Sequence, residues 1–203
     1  MNKILSILLI GASTLATAQI TASAKANLLF PTNSGKWSDI KDTATGAWKE
    51  TGKNNTGYNV GLSLKIDTPT SFFVMPEIYY TSFKNEVDVN GTTLEAKSSR
   101  IDVPVLLGYN ILGKTVGAFI GPVASYNLTK GETYNEFKEN VKNNFSLGYQ
   151  FGAQIQVKKL IINGRYEGAF TKDQREFISN NISENVKYDT RPNLFIVGLG
   201  YQF

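Results

Sequence analysis

The chain has 203 residues, enough for one domain with a sizeable core, and it contains neither cysteine nor histidine. That excludes thiolate nucleophiles, disulfide staples, His-dependent catalysis and the usual zinc ligand sets. The formal charge of +4 comes from 21 basic and 17 acidic residues with no clustered basic patch, so composition makes no case for nucleic-acid binding.

In chain order, the first element is MNKILSILLIGASTLATAQ. Lys3, the apolar run Ile4 to Ile10 and the small residues Ala16 and Ala18 form the n-region, h-region and A-x-A pattern of a secretory signal peptide. Residues 1–18 are therefore expected to be a signal peptide and 19–203 the functional domain. The apolar run is too short for a spanning helix, which needs about 20 apolar residues, and no later stretch reaches that length. Any entry into a membrane must be made with strands.

From there the sequence alternates apolar and polar residues almost throughout. Eight strands are predicted, at 20–30, 57–67, 72–84, 93–111, 116–129, 144–158, 160–172 and 192–203. The connections between them also alternate. Segments 31–56, 130–143 and 173–191 are long and 85–92 intermediate, whereas 68–71, 112–115 and 159 are tight. Segment 132–143, ETYNEFKENVKN, reads as a polar loop with a transient turn. A meander with short turns at one end and long loops at the other predicts an all-β fold, an eight-stranded antiparallel up-and-down transmembrane β-barrel.

The strand faces sharpen this expectation. In 144–158, Phe145, Leu147, Tyr149, Phe151, Ala153, Ile155 and Val157 share one face, opposite Ser146, Gly148, Gln150, Gly152, Gln154 and Gln156. Small and amide side chains suit the narrow lumen of an eight-stranded barrel, which is just wide enough to be filled. Lys25, Lys65, Glu77, Arg100, Asp102, Arg165 and Glu167 fall on the same inner face, and in a confined interior they must pair with one another. Pro104 counts inward. Pro76 counts outward, where its missing ladder donor calls for a bulge or a break in register. Tyr58, Tyr80, Tyr109, Tyr149 and Tyr201 fall at strand ends or on outward faces, as membrane-interface rings do.

Sites for chemistry are few. Asp173, Glu176 and Glu184, and likewise Glu132, Glu136 and Glu139, lack the spacing of a calcium loop. Gly113-Lys114-Thr115 lacks the upstream glycine of a phosphate loop. No catalytic, cofactor-binding or metal-binding set emerges, and no cofactor is expected.

SRIDVPVLLGYN, residues 99–110, with Ile101, Asp102, Val103, Pro104, Leu106, Leu107 and Tyr109, resembles the signature of PorT-like outer-membrane β-barrel proteins common in Bacteroidetes. VGAFIGPVASY at 116–126 is similar to the same family, and the size resembles that of small OmpA- and OmpX-like barrels. The resemblance implies a location in the outer membrane. It implies contact with the lipid bilayer and lipopolysaccharide, and assembly by the barrel assembly machinery. Tyr201 and Phe203 resemble the terminal signal that this machinery recognises. It also implies a non-enzymatic role, structural or adhesive or in binding an extracellular or envelope protein, exercised through the long loops. Trp37 and Trp48 in the first loop are the candidate contact residues. Two alternatives stand beside this reading: a narrow passive pore, and a soluble lipocalin-like carrier, which needs the opposite polarity inside and out.

Overall fold

Alternating side chains can serve two environments only if the sheet has two faces, and in lipid it must also close so that no backbone edge is left unpaired. A computed structural model shows that closure. It describes residues 19–32, 36–39, 49–51, 53–54, 56–89, 92–128, 133–134, 137–141, 144–171, 174–179, 185–189 and 193–203. The expected signal peptide and Trp48 lie outside the described residues. Eight strands form the barrel: β1 (Gln19–Pro31), β2 (Gly57–Asp67), β3 (Phe72–Val89), β4 (Thr92–Leu112), β5 (Val116–Asn127), β6 (Phe145–Val157), β7 (Leu160–Ala169) and β8 (Leu194–Gln202). Each pairs antiparallel with the next, and β8 returns to β1 in a register running from Ser23↔Gln202 to Pro31↔Leu194.

The outer wall is apolar. Leu62, Leu107, Ile120 and Leu199 are each more than half exposed, while Ser63, Leu106, Phe119 and Gly198 beside them point into the lumen and are buried. This is the polarity of a wall solvated by lipid, and it is opposite to what a soluble lipocalin-like carrier needs. Inside, Phe73, Met75, Leu106 and Phe119 pack together on β3, β4 and β5. Leu29, Leu194 and Ile196 form a second cluster on β1 and β8.

The prolines are accommodated without the expected bulge. Pro76 does lie on the outer wall, but the β2–β3 register is the same on either side of it, at Ser63↔Glu77 and at Ile66↔Val74. The ladder simply lapses for the two positions between. Pro104 faces inward, as expected, and the β3–β4 ladder lapses likewise between Pro76↔Val105 and Tyr79↔Asp102. A proline removes a donor without changing the residue count, so the alternation of faces survives. The register shift of β4 against β5 lies at Asn110/Leu112, beside the turn where Gly113 takes a φ of 55°.

The short connections, at 68–71, 113–115 and 158–159, share one end, which faces the periplasm. The other end departs from the sequence reading. The 85–92 connection is almost entirely strand, because the β3–β4 ladder runs up to Val89↔Thr92. Segment 132–143, expected as a polar loop, holds strands at Thr133–Tyr134 and Phe137–Val141. These join Lys36–Asp39, Lys49–Thr51, Gln174–Ser179 and Asn185–Asp189 in a second, six-stranded antiparallel sheet. Trp37 lies within it, opposite Tyr188 and Glu50. Beyond the membrane these strands are two to six residues long, so an alternation such as that of Asn185–Asp189 is too brief to announce a strand.

Candidate functional site: a charge network across the lumen

All seven lumenal charges expected from the alternation are inside and buried, and the structure brings them together with an eighth, Asp67. Among the described residues, four buried cations, Lys25, Lys65, Arg100 and Arg165, balance four buried anions, Asp67, Glu77, Asp102 and Glu167.

The network has three tiers. Nearest the periplasm, the Lys65 ammonium lies 3.0 Å from Asp67, donates to Asn110 Oδ1 at 2.9 Å and sits 4.5 Å from the centre of the Phe73 ring. Asn110 Nδ2 donates in turn to Asp67 at 3.0 Å. From the 113–115 turn, Lys114 reaches over this tier to bond Gln19, with Asp67 at 3.9 Å. In the middle tier, Glu77 is held between Lys25 at 2.7 Å and Arg165 at 2.6 Å, and the Tyr79 hydroxyl donates to it at 3.1 Å. Arg165 stacks over Phe119, 5.1 Å from the ring centre. In the upper tier, Arg100 bridges Asp102 at 2.9 Å and Glu167 at 2.7 Å, and Thr81 donates to Asp102 at 2.6 Å.

Gln150 couples the last two tiers. Its carbonyl accepts from Arg165 at 3.2 Å and its amide donates to Glu167 at 2.8 Å. Beside it, Asn163 donates to Asn27 at 2.9 Å and Asn27 to Asn59 at 2.6 Å. Arg165 donates to Asn163 at 2.9 Å, so the middle and upper tiers form one polar lattice linking β1, β2, β3, β4, β6 and β7 across the barrel.

The lumenal glycines make room for it. A Cβ on Gly108 would fall within the Phe73 ring, which lies flat across its cross-strand partner, and a Cβ on Gly198 would collide with the Asn27 amide. Gly198 is thus required by close approach of a lattice member. A charge lattice of this kind adds little net stability over an apolar filling, but loss of one partner is costly. The charged groups of the middle and upper tiers bond one another across the lumen.

Asp67 continues the inward series of Asn59, Ser63 and Lys65 at the same period, so alternation carried one step further would have found it. Tyr79 carried a weaker signal, because an inward tyrosine is indistinguishable by period from an apolar filler. Tyr201 and Phe203 lie on the outer wall with their rings 6.3 Å apart.

Comparison with known proteins agrees with this architecture. The family described as "Outer membrane protein beta-barrel domain" matches residues 21–172. The chain belongs to that family. It is an outer-membrane protein, and its apolar wall sits in the lipid bilayer. Among solved structures, the outer membrane protein OprG from Pseudomonas aeruginosa superposes with a TM-score of 0.60 at 17% identity, covering 91% of this chain and 95% of that one. The outer membrane protein AlkL, solved in lipid bilayers, gives a TM-score of 0.59 at 9% identity, with 91% and 90% covered. At these identities the likeness concerns the fold. No curated protein sequence matches.

Proposed function

We propose that the protein is a non-enzymatic, non-conducting barrel that anchors an extracellular β-structure in the outer membrane, where that structure binds an extracellular or envelope protein or mediates adhesion. The observation that carries this reading is the lattice from Lys25 to Asp102, which fills the lumen and leaves the extracellular sheet as the part free to work. Trp37, within that sheet, is a candidate contact residue; Trp48 is proposed for the same role on its sequence position. We assign the chain to the PorT-like branch on the strength of Asp102, Pro104, Leu106, Leu107 and Tyr109. Residues 1–18 are proposed as a cleaved signal peptide, Tyr201 and Phe203 as the signal read by the assembly machinery, and lipopolysaccharide as the lipid of the outer leaflet.

The test replaces 133–141 and 174–189 with short turns. The variant is expected to reach the outer membrane and keep a heat-modifiable band on a denaturing gel, while losing protein crosslinks or cell adherence seen with the intact chain. Unchanged crosslinks and adherence would contradict the proposal.

A further inference from the structure

The periplasmic turns carry exposed charge of one sign. The turns at 68–71, 113–115 and 158–159 are described throughout, and they present Lys114, Lys158 and Lys159 to solvent but no acidic side chain. Asp67, at the end of β2, is buried and already faces Lys65 at 3.0 Å. Lys114 reaches over that pair toward Gln19. Lys158 and Lys159 stand instead at the rim of the lipid-facing wall, beside the end of β8.

That pair is held in place at some cost. Lys158 takes a φ of 54°, in the left-handed region where glycine or asparagine is the relaxed choice for a two-residue hairpin turn. Its carbonyl accepts from the Gln156 amide at 3.1 Å, and the Lys159 carbonyl accepts from the Gln202 N–H at 2.8 Å. The Lys159 ammonium lies 5.6 Å from the centre of the Tyr201 ring. A charged side chain kept at a strained backbone position points to a ligand of opposite charge.

Next to the pair, the apolar wall is indented. The Tyr201 ring meets the Phe203 ring edge to face, and Phe203 forms one side of a hollow of about 390 Å³. Ala22, Leu62, Leu64, Pro76 and Ile78 form the rest of it. Two compact side chains, Ala22 and Pro76, set among longer ones give the hollow its depth. Ala22 pairs with Leu64 across the β1–β2 seam, inward of the strand ends at Gln19 and Asp67, so the hollow lies deeper in the bilayer than the turns.

We propose that this corner of the wall binds an anionic phospholipid of the periplasmic leaflet, with its phosphate on Lys158 and Lys159 and one acyl chain in the hollow beyond Tyr201 and Phe203. A phospholipid offers a phosphodiester charge and a hydrocarbon chain in series, in the order that the lysines, the two rings and the hollow receive them. Lysines at a membrane surface draw anionic headgroups, and aromatic rings suit the boundary between headgroup and chain. The wall around the hollow already meets lipid, so the site is continuous with that interface. A second copy of this protein fits less well, because its own Lys158 and Lys159 would sit at the same depth and repel these. The site does not depend on the extracellular role proposed above.

The test uses the full chain in phosphatidylcholine nanodiscs doped with phospholipid that is spin-labelled on the acyl chain near the glycerol. Electron paramagnetic resonance reads the fraction of label held against the protein. Labelled phosphatidylglycerol is expected to be held in preference to labelled phosphatidylcholine. Lys158→Gly should lower that preference about fivefold even though it relaxes the turn, and Lys159→Gln should lower it similarly, whereas Lys158→Arg should keep it. Ala22→Leu, which fills the hollow, should reduce the held fraction. Soluble glycerol phosphate, which carries the charge without the chain, should displace nothing. Heat-modifiable migration verifies that each variant is folded. Equal retention of the two lipids, a preference indifferent to Lys158→Gly and Lys159→Gln, a held fraction unchanged in Ala22→Leu, or displacement by glycerol phosphate would each overturn the site. So would a disulfide-linked dimer of Leu64→Cys, since a second copy would then occupy the hollow.

Discussion

The lumenal and lipid-facing sides of the barrel are built by alternate residues of the same strands, yet they are held by different physics. Inward, Lys25, Glu77, Arg165, Gln150, Glu167, Arg100 and Asp102 each have named partners at hydrogen-bond distance. Outward, Leu62, Leu107, Ile120 and Leu199 need only be apolar, because lipid has no directional demands. One side is specified pair by pair and the other by class.

The largest expected effect breaks the inner side. Glu77→Ala leaves Lys25 and Arg165 facing each other unpaired and should cost about 3–5 kcal/mol in urea unfolding from lipid vesicles. Replacing all three by apolar residues of similar volume should recover most of that loss. If Glu77→Ala alone were neutral, the lattice would not be coupled as the geometry shows.

The next effect breaks the outer side. Leu199→Arg should cost about 2–4 kcal/mol by the same measurement, whereas Leu199→Ile should stay below about 1.5 kcal/mol. Equal tolerance of both would mean that Leu199 does not meet lipid.

A pair of glycines sharpens the contrast. A Cβ on Gly152 would press into the Arg165 backbone and the Gly164 carbonyl, while one on Gly164 would have nothing within 4 Å. Gly152→Ala should therefore cost about 1–3 kcal/mol. Gly164→Ala should gain about 0.5–1 kcal/mol from the backbone entropy that glycine loses in a strand. An effect of similar size lies where neither side matters. Lys158 holds a φ of 54° in the β6–β7 turn, so Lys158→Gly should stabilise by about 1 kcal/mol.

The same contrast explains what the sequence could disclose. Within the membrane, period-two alternation identified all eight strands and seven of the eight lumenal charges, because each strand must satisfy both lipid and lumen. Asp67 is not among the seven, because it is the last residue of its strand. Pro76 was placed on the correct face, but the bulge expected for it is absent, because a lapse of two pairings in unchanged register suffices. The partners of each charge were not legible, since pairing of Arg100 with Glu167 depends on shear and closure, which no local pattern encodes. Above the membrane the signal failed. Phe137–Val141 is extended between Thr133–Tyr134 and Gln174–Ser179, and its own residues do not alternate.

The central claim is that the lattice closes the lumen, and planar-bilayer recording tests it most directly. The intact protein should insert without resolvable unitary openings, and Glu77→Ala, shown by heat-modifiable migration to be folded, should admit flickering ion passage. Steady, well-resolved openings of the intact protein would contradict the account and favour a narrow pore instead.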